Sequence, residues 1–245
     1  MGGGVIALWA WGTGRLAGFR MERHEWWPLL TLAALFTAQI GTMNVATNLT
    51  NSAHAAIVLN LHAVHTVVLA HFLIPGDRLS ARRFAGILLA YAGILVLFAG
   101  ERSDGTASLL GDAIMFVSAA ILAERTVYLA GAVHRFDPVK LLLSQAVTGV
   151  VVFMALSQVL EPAPTQWTWR LAVALLYQGA LVAGFCFVVN LWLLKRYRPS
   201  ALATFSLTQP IFGVVAALLV AGDPLTFVLV VACAGVVAGI ALTMR

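Results

Sequence analysis

The sequence predicts an all-α, polytopic membrane protein, an inverted repeat of five-helix units with nine spans present and ten expected. Three observations predict it. Hydrophobic residues make up 61% of the 245, charged residues only 10%, and the mean hydropathy is +0.92. Soluble domains run near 45–50% apolar and about 25% charged, so an ordinary globular domain, a disordered chain and a disulfide scaffold are all excluded. Second, no Asp, Glu, Lys or Arg occurs from Trp26 to Gly76. Similar runs cover Leu141–Leu160, Leu171–Leu194, Pro199–Gly222 and Pro224–Met244. About 20 apolar residues cross a hydrocarbon core as one helix. Third, short motifs recur at a fixed offset.

The spans read, in order, as Gly3–Gly14, Trp26–Asn44, Ser52–Ile74, Phe84–Ala99, Gly111–Ala130, Leu141–Leu160, Leu171–Leu194, Ala201–Ala221 and Leu225–Met244. If the first runs inward, the inside segments hold Arg15, Arg20, Arg23, Arg78, Arg82, Arg83, Arg125, Arg135, Lys140, Lys195, Arg196, Arg198 and Arg245. The outside loops keep only Arg102 and Arg170. Such a bias is the positive-inside signal. It predicts an N-terminus outside and a C-terminus in the cytoplasm of a cell (inner) membrane protein, and Trp26, Trp27, Trp167 and Trp169 fall where interfacial aromatic belts belong. The net charge of +5 therefore reads as membrane orientation and not as nucleic-acid binding. No basic segment precedes the first apolar run, so no cleavable signal peptide is expected. Cys186 and Cys233 lie in apolar runs and read as small packing residues.

Gly76-Asp77-Arg78-Leu79-Ser80 recurs as Gly222-Asp223-Pro224-Leu225-Thr226, an offset of 146 that also pairs Asn44 with Asn190, Leu61 with Leu207 and Gly93-Ile94 with Gly239-Ile240. Five spans separate the copies, an odd number, so the copies face opposite ways. An inverted repeat of this kind places a substrate pathway near the midplane. The division expected is a first repeat over 1–100, an outside linker over 101–110 and a second repeat over 111–245. The counterpart of Gly111–Ala130 falls before Met1 by the same offset. Upstream DNA is expected to encode, in frame, about 20–35 further residues with one apolar helix.

These motifs resemble the drug/metabolite transporter superfamily, EamA type. Its pattern is two five-helix units, each with a proline in the fourth helix, a short Gly-Glu-x-Leu-Ser/Thr turn and a Gly-rich fifth helix. Gln209-Pro210 and the turn at Gly222-Asp223 fit the second copy; Gly76-Asp77 and Gly86–Gly93 fit the first, and Gly111-Asp112 is similar to the opening of the sixth family helix. Asp replaces Glu in both turns, and Val64 stands in place of the first copy's proline, which removes the usual cause of a kink there. The resemblance implies secondary transport of small metabolites, amino acids or drugs, often outward.

Polar residues inside a membrane usually face a bundle interior or a wet cavity. In Ser52–Ile74, His54, His62 and His65 fall within about an 80° sector of a continuous helix, with Asn60 on the same span and His71 nearer its inner end. Histidine changes charge near neutral pH, so His54 is a candidate for proton coupling. Neutral, interhelical hydrogen-bonding histidines are the plainer reading. Glu124 is a second coupling candidate, some 20 Å into its span; Asp112 reads as a carboxylate complementing a helix N-terminus. The candidate pathway comprises Asn44, Asn60, His62, His65, Asn190, Gln209 and Pro210, and the repeat turns comprise Gly76, Asp77, Gly222 and Asp223. Gln39, Gln145 and Gln178 read as helix glue. Gly235 and Gly239 form a GxxxG pattern that serves close packing within the fold or in a homodimer.

No metal and no cofactor is expected. His62 and His65 lack further ligands on their span, and no phosphate-binding loop or hydrolase motif appears. The function predicted is secondary, export-directed transport of a small-molecule substrate through a lipid bilayer by alternating access. The alternative is a membrane enzyme or haem or metal redox protein built on the His-bearing span 52–74, and the inverted repeat favours transport over it.

Overall fold

The structure, a computed structural model, describes residues 2–12, 22–73, 79–100, 108–160, 167–196 and 208–243. All regular elements among them are helical: α1 (Gly2–Gly12), α2 (Trp26–Thr47), α3 (Ser52–Leu59), α4 (His62–Leu73), α5 (Ala81–Gly100), α6 (Leu109–Ala132), α7 (Pro138–Leu160), α8 (Trp169–Leu176), α9 (Phe187–Arg196), α10 (Gln209–Ala216) and α11 (Phe227–Thr243). A 3₁₀ turn over Arg23–Glu25 precedes α2, and wider π-helical winding links α8 to α9 over Tyr177–Cys186 and extends α10 over Ala217–Ala221. Among the described residues, six stretches are long and apolar enough to span a membrane, with shorter apolar helices at Gly3–Gly12, Gln209–Ala221 and Phe227–Thr243. The chain is an all-α polytopic membrane protein.

Local chemistry sets the helix starts. The first backbone N–H groups of a helix lack internal partners and take them from side-chain oxygens. Asn51 Oδ1 accepts from the His54 N–H at 2.8 Å, Ser108 Oγ from Gly111 at 2.9 Å, Thr168 Oγ1 from Leu171 at 3.2 Å and Thr226 Oγ1 from Leu229 at 3.1 Å. Gly222 closes the π turn with φ +76, in the left-handed region that glycine adopts without penalty.

The chain forms two compact units, each drawing on both halves of the sequence. Unit 1 (Met1–Thr37 and Tyr128–Arg198) gathers Ile6, Leu29, Leu32, Leu129, Leu141 and Leu142 into one core. Tyr128 Oη donates to the Pro28 carbonyl at 3.2 Å, and Lys140 Nζ donates to both carboxylate oxygens of Glu25 at 2.7 and 2.6 Å. In the Trp169–Asn190 stretch of this unit only Gly184 is buried, the other residues being exposed or half-buried.

Unit 2 (Ala38–Val127 and Pro199–Arg245) packs α3, α4, α5, the first part of α6, α10 and α11 around Ile57, Val58, Leu61, Ile94, Met115, Leu229 and Ile240. Lipid tails are as apolar as leucine, so burial alone does not drive helices together in a membrane; close backbone approach does. The α5–α11 pair achieves it with glycines. A Cβ on Gly93 would stand 2.9 Å from the Ala232 carbonyl oxygen, and one on Gly235 3.1 Å from the Gly93 Cα. The GxxxG pattern is thus engaged inside unit 2.

The span 52–74 departs from expectation. It is interrupted by a turn at Asn60–Leu61, with Asn60 still in the right-handed helical region (φ −69, ψ −10), so His54 stands on α3 and His62 and His65 on α4. The cause is local polar competition with the helix ladder. Asn60 Nδ2 donates to the Ala56 carbonyl at 2.6 Å, and His62 Nδ1 lies 3.1 Å from the Leu59 carbonyl oxygen.

Candidate functional site

The break lies in the core of unit 2 and carries polar atoms into it. Asn60 and His65 are 7% and 8% exposed, and among the described residues neither Asn60 Oδ1 nor His65 Nδ1 has a hydrogen-bond partner. An unsatisfied buried acceptor costs about 1–3 kcal/mol, and here two of them lie less than two turns apart in sequence. The His65 ring stacks edge-on to Phe116 at a centroid distance of 4.9 Å and lies 5.8 Å from Tyr91; the two aromatics are 6.1 Å apart. His62 is half-buried one turn away.

Opposite α3 stands α10. A Cβ on Gly213 would meet the Ala56 side chain at 2.6 Å, so α10 contacts α3 one turn before the break. Pro210 is buried in the first turn of α10, where its missing N–H needs no partner; Gln209 beside it is exposed. Asn60, His62, His65 and Pro210 therefore belong to one region of one unit. Asn44 on α2, Glu124 on α6 and Asn190 on α9 are exposed. Gly76 and Asp77 lie outside the described residues.

A second polar cluster forms where α3, α6 and α11 begin. Asp112 is fully buried. Its Oδ1 accepts from Thr50 Oγ1 at 2.5 Å, and its Oδ2 lies 2.7 Å from His54 Nδ1. Besides complementing the start of its own helix, the Asp112 carboxylate joins α6 to α3. Asp223 does the same from the turn before α11, its Oδ2 accepting from the Ala53 N–H at 2.8 Å. Gly111 makes the approach feasible, because a Cβ there would stand 2.7 Å from the Leu49 carbonyl carbon, and the Ser108 N–H bonds the Leu49 carbonyl at 3.1 Å.

Sequence reasoning missed Thr50, Tyr91, Phe116 and the His54–Asp112 bond. The bond joins residues 58 apart and has no local signature, although Gly111-Asp112 was visible as a motif. Of the glutamines, Gln145 Nε2 donates to the Leu141 carbonyl of its own helix at 2.6 Å, and the Gln39 carbonyl accepts from Ser118 Oγ at 3.0 Å. Gln178 is exposed.

The chain is 20% identical over 176 residues to the uncharacterized transporter YoaV of Bacillus subtilis (strain 168), covering 71% of this chain and 60% of that protein. It is 23% identical over 226 residues to the uncharacterized transporter YvbV of the same organism, covering 91% and 73%. It is 27% identical over 185 residues to a probable amino-acid metabolite efflux pump of Escherichia coli (strain K12), covering 70% and 60%. A crystal structure of a protein 24% identical to this chain shares the fold with a TM-score of 0.65, over 99% of this chain and 84% of its own. The profile of the EamA-like transporter family matches residues 1–99 and 109–245. With all but the segment between those two matches accounted for, the chain belongs to the EamA-like transporter family.

Proposed function

We propose that this chain is a secondary transporter that exports small metabolites, amino acids or drugs across the cell membrane by alternating access. The observation that carries the proposal is the broken helix pair α3–α4, with the orphaned acceptors Asn60 Oδ1 and His65 Nδ1 in the core of unit 2. Transporters of inverted-repeat build hold substrate at discontinuous helices near the midplane, where polar groups replace water around the cargo. A substrate carrying N–H or O–H donors matches two buried acceptors, and the faces of Tyr91 and Phe116 suit a cationic or apolar portion. Asn60, His62 and His65 bind; Gln209 and Pro210 border the path from α10; Asn44 and Asn190 are pathway residues by their repeat relation. Residues 1–100 and 111–245 act as oppositely oriented repeats, with the N-terminus outside and the C-terminus cytoplasmic. The Escherichia coli relative, a probable amino-acid metabolite efflux pump, supports amino-acid-like cargo and export.

Purified protein in proteoliposomes tests this with labelled amino acids, amines and drugs, each assayed for exchange and for accumulation under an imposed pH gradient. At least one class is expected to exchange and to accumulate. Protein that unfolds cooperatively on heating yet moves none of them overturns the proposal.

A further inference from the structure

We infer that a groove between α2 and α7 in unit 1 is the binding site of a phospholipid with a zwitterionic, primary-ammonium headgroup of the ethanolamine type. One acyl chain lies along α7 and the phosphate sits against Lys140. The inference concerns unit 1 alone and does not depend on the transport reading.

The groove has a volume of about 360 Å³, and its walls include Trp26 and Leu30 of α2 and Lys140, Leu143, Val147 and Thr148 of α7. Residues three and four apart share a helix face, so the α7 residues form one continuous wall. From Lys140 to Thr148 that wall is about 12 Å long at 1.5 Å per residue. Dividing 360 Å³ by that length leaves roughly 30 Å² of cross-section, far too narrow for a second helix about 10–12 Å across and wide enough for one hydrocarbon chain. Leu29 is buried beneath the groove, whereas Trp26, Leu30 and Val147 are exposed. The groove therefore opens sideways, toward the medium that surrounds a membrane protein. The Ser144 hydroxyl, also in the wall, is turned back to the Leu141 carbonyl at 3.2 Å and does not interrupt the apolar surface.

The two ends differ in chemistry. Trp26 is the first residue of α2 and Pro138 the first of α7, so both helices begin at the Lys140 end. Tryptophan at a helix start marks the headgroup level of a bilayer. The other end, at Val147 and Thr148, lies within the charge-free run Leu141–Leu160 and so within the hydrocarbon. A ligand that fits is polar at one end and a single apolar chain for the next 12 Å or so. A phospholipid has that form and is the solvent of this surface.

The charges select the headgroup. Lys140 Nζ gives two N–H bonds to the Glu25 carboxylate, at 2.7 and 2.6 Å. An ammonium has three, and the third is left for a phosphate oxygen. The starts of α2 and α7 add positive partial charge there. The same end carries carboxylates in equal number to its Lys and Arg: Glu22, Glu25 and Asp137 against Arg23, Arg135 and Lys140. Asp137 is exposed, one turn before Lys140, and its Oδ1 accepts from the Val139 N–H at 2.7 Å. An anionic headgroup brings an uncompensated charge among three carboxylates. A zwitterionic one sets its ammonium on Asp137 while its phosphate meets Lys140, and a primary ammonium, unlike choline, has N–H groups to donate.

The test uses the 245-residue chain, stripped of lipid in detergent and titrated with dioleoyl phosphatidylethanolamine, dioleoyl phosphatidylglycerol or dioleoylglycerol. Bound lipid is counted by native mass spectrometry. One phosphatidylethanolamine per chain is expected, held at least tenfold more tightly than either of the others. Leu143→Trp fills the groove near its polar end and Thr148→Phe at its apolar end; each should weaken phosphatidylethanolamine at least tenfold. Leu95→Trp, on the exposed face of α5, should change nothing. Glu25→Gln with Lys140→Met leaves the groove open but removes the partner of the phosphate. It should weaken phosphatidylethanolamine at least tenfold and leave dioleoylglycerol unchanged. Phosphatidylglycerol held as tightly as phosphatidylethanolamine overturns the inference in the native chain, whether or not the variants fold. Undiminished retention in groove-filling variants that unfold cooperatively also overturns it, as does a dimer that those variants dissociate.

Discussion

Gly239 of α11 and Gly86 of α5 meet backbone to backbone: a Cβ on Gly239 would lie 2.6 Å from the Gly86 carbonyl oxygen and 2.5 Å from the Ala90 nitrogen. Neither atom belongs to a flexible side chain, so the added methyl must push the helices apart. Overpacking of this kind costs about 1–3 kcal/mol. Gly239→Ala should therefore lower the thermal midpoint in detergent. Gly131→Ala, in open space near the end of α6, should leave it unchanged or raise it through helix propensity worth up to about 1 kcal/mol. Equal midpoints for the two variants would contradict the packing.

Asn60→Leu separates stability from function. The substitution removes one side-chain hydrogen bond, worth about 0.5–1.5 kcal/mol net, and also removes a buried unsatisfied acceptor that costs about 1–3 kcal/mol. The second effect is the larger. The variant is expected to be as stable as the native protein or more so, and to have lost most of its transport because the break in the helix heals. Undiminished uptake in Asn60→Leu would place the pathway elsewhere.

The helical class and most of the spans are legible in the sequence because a membrane imposes length and apolarity on each segment independently of its neighbours. Glycine spacing was legible for the same reason: Gly86, Gly93, Gly235 and Gly239 mark a helix face before the partner face is known. What was not legible depends on partners distant in the chain. The break at Asn60 requires knowing that Asn60 turns back to Ala56 and His62 to Leu59, where a proline would have announced itself. The joining of His54 to Asp112 depends on the Leu49–Asn51 turn meeting Gly111, a backbone contact that no periodicity encodes. Asn44, Glu124 and Asn190 were legible as polar residues inside apolar runs, and all three are exposed. An intramembrane polar residue advertises itself in the sequence whether or not the fold gathers it into a cluster.

The Glu25–Lys140 pair in unit 1 has side chains only 10% and 13% exposed. Lys140→Met leaves the Glu25 carboxylate without its counter-ion, a change that costs about 3–5 kcal/mol when the group is buried. Removing both charges, as in Glu25→Gln with Lys140→Met, is close to neutral. The double variant should therefore unfold at a higher temperature than the single Lys140→Met. A double variant less stable than the single would mean that Lys140 acts through its aliphatic stem and not its charge.

Orientation is the remaining expectation, and the thirteen-to-two division of basic residues supplies it. Lys and Arg in short loops resist translocation, so the side that holds them faces the cytoplasm. Segment 15–25, with Arg15, Arg20 and Arg23, and segment 195–198, with Lys195, Arg196 and Arg198, should both be inside. The loop containing Arg102 carries a single basic residue against Glu101 and Asp104 and should be outside. An alkaline phosphatase fusion after Gly105 is expected to be active and one after Tyr197 inactive, with a cytoplasmic fluorescent reporter giving the reverse pattern. Adding three arginines between Arg102 and Gly105 should weaken that contrast, because the added charge opposes the bias that sets it. Fusions at Gly105 and Tyr197 that report the same side would overturn the span count, since three spans separate the two points and an odd number puts them on opposite sides.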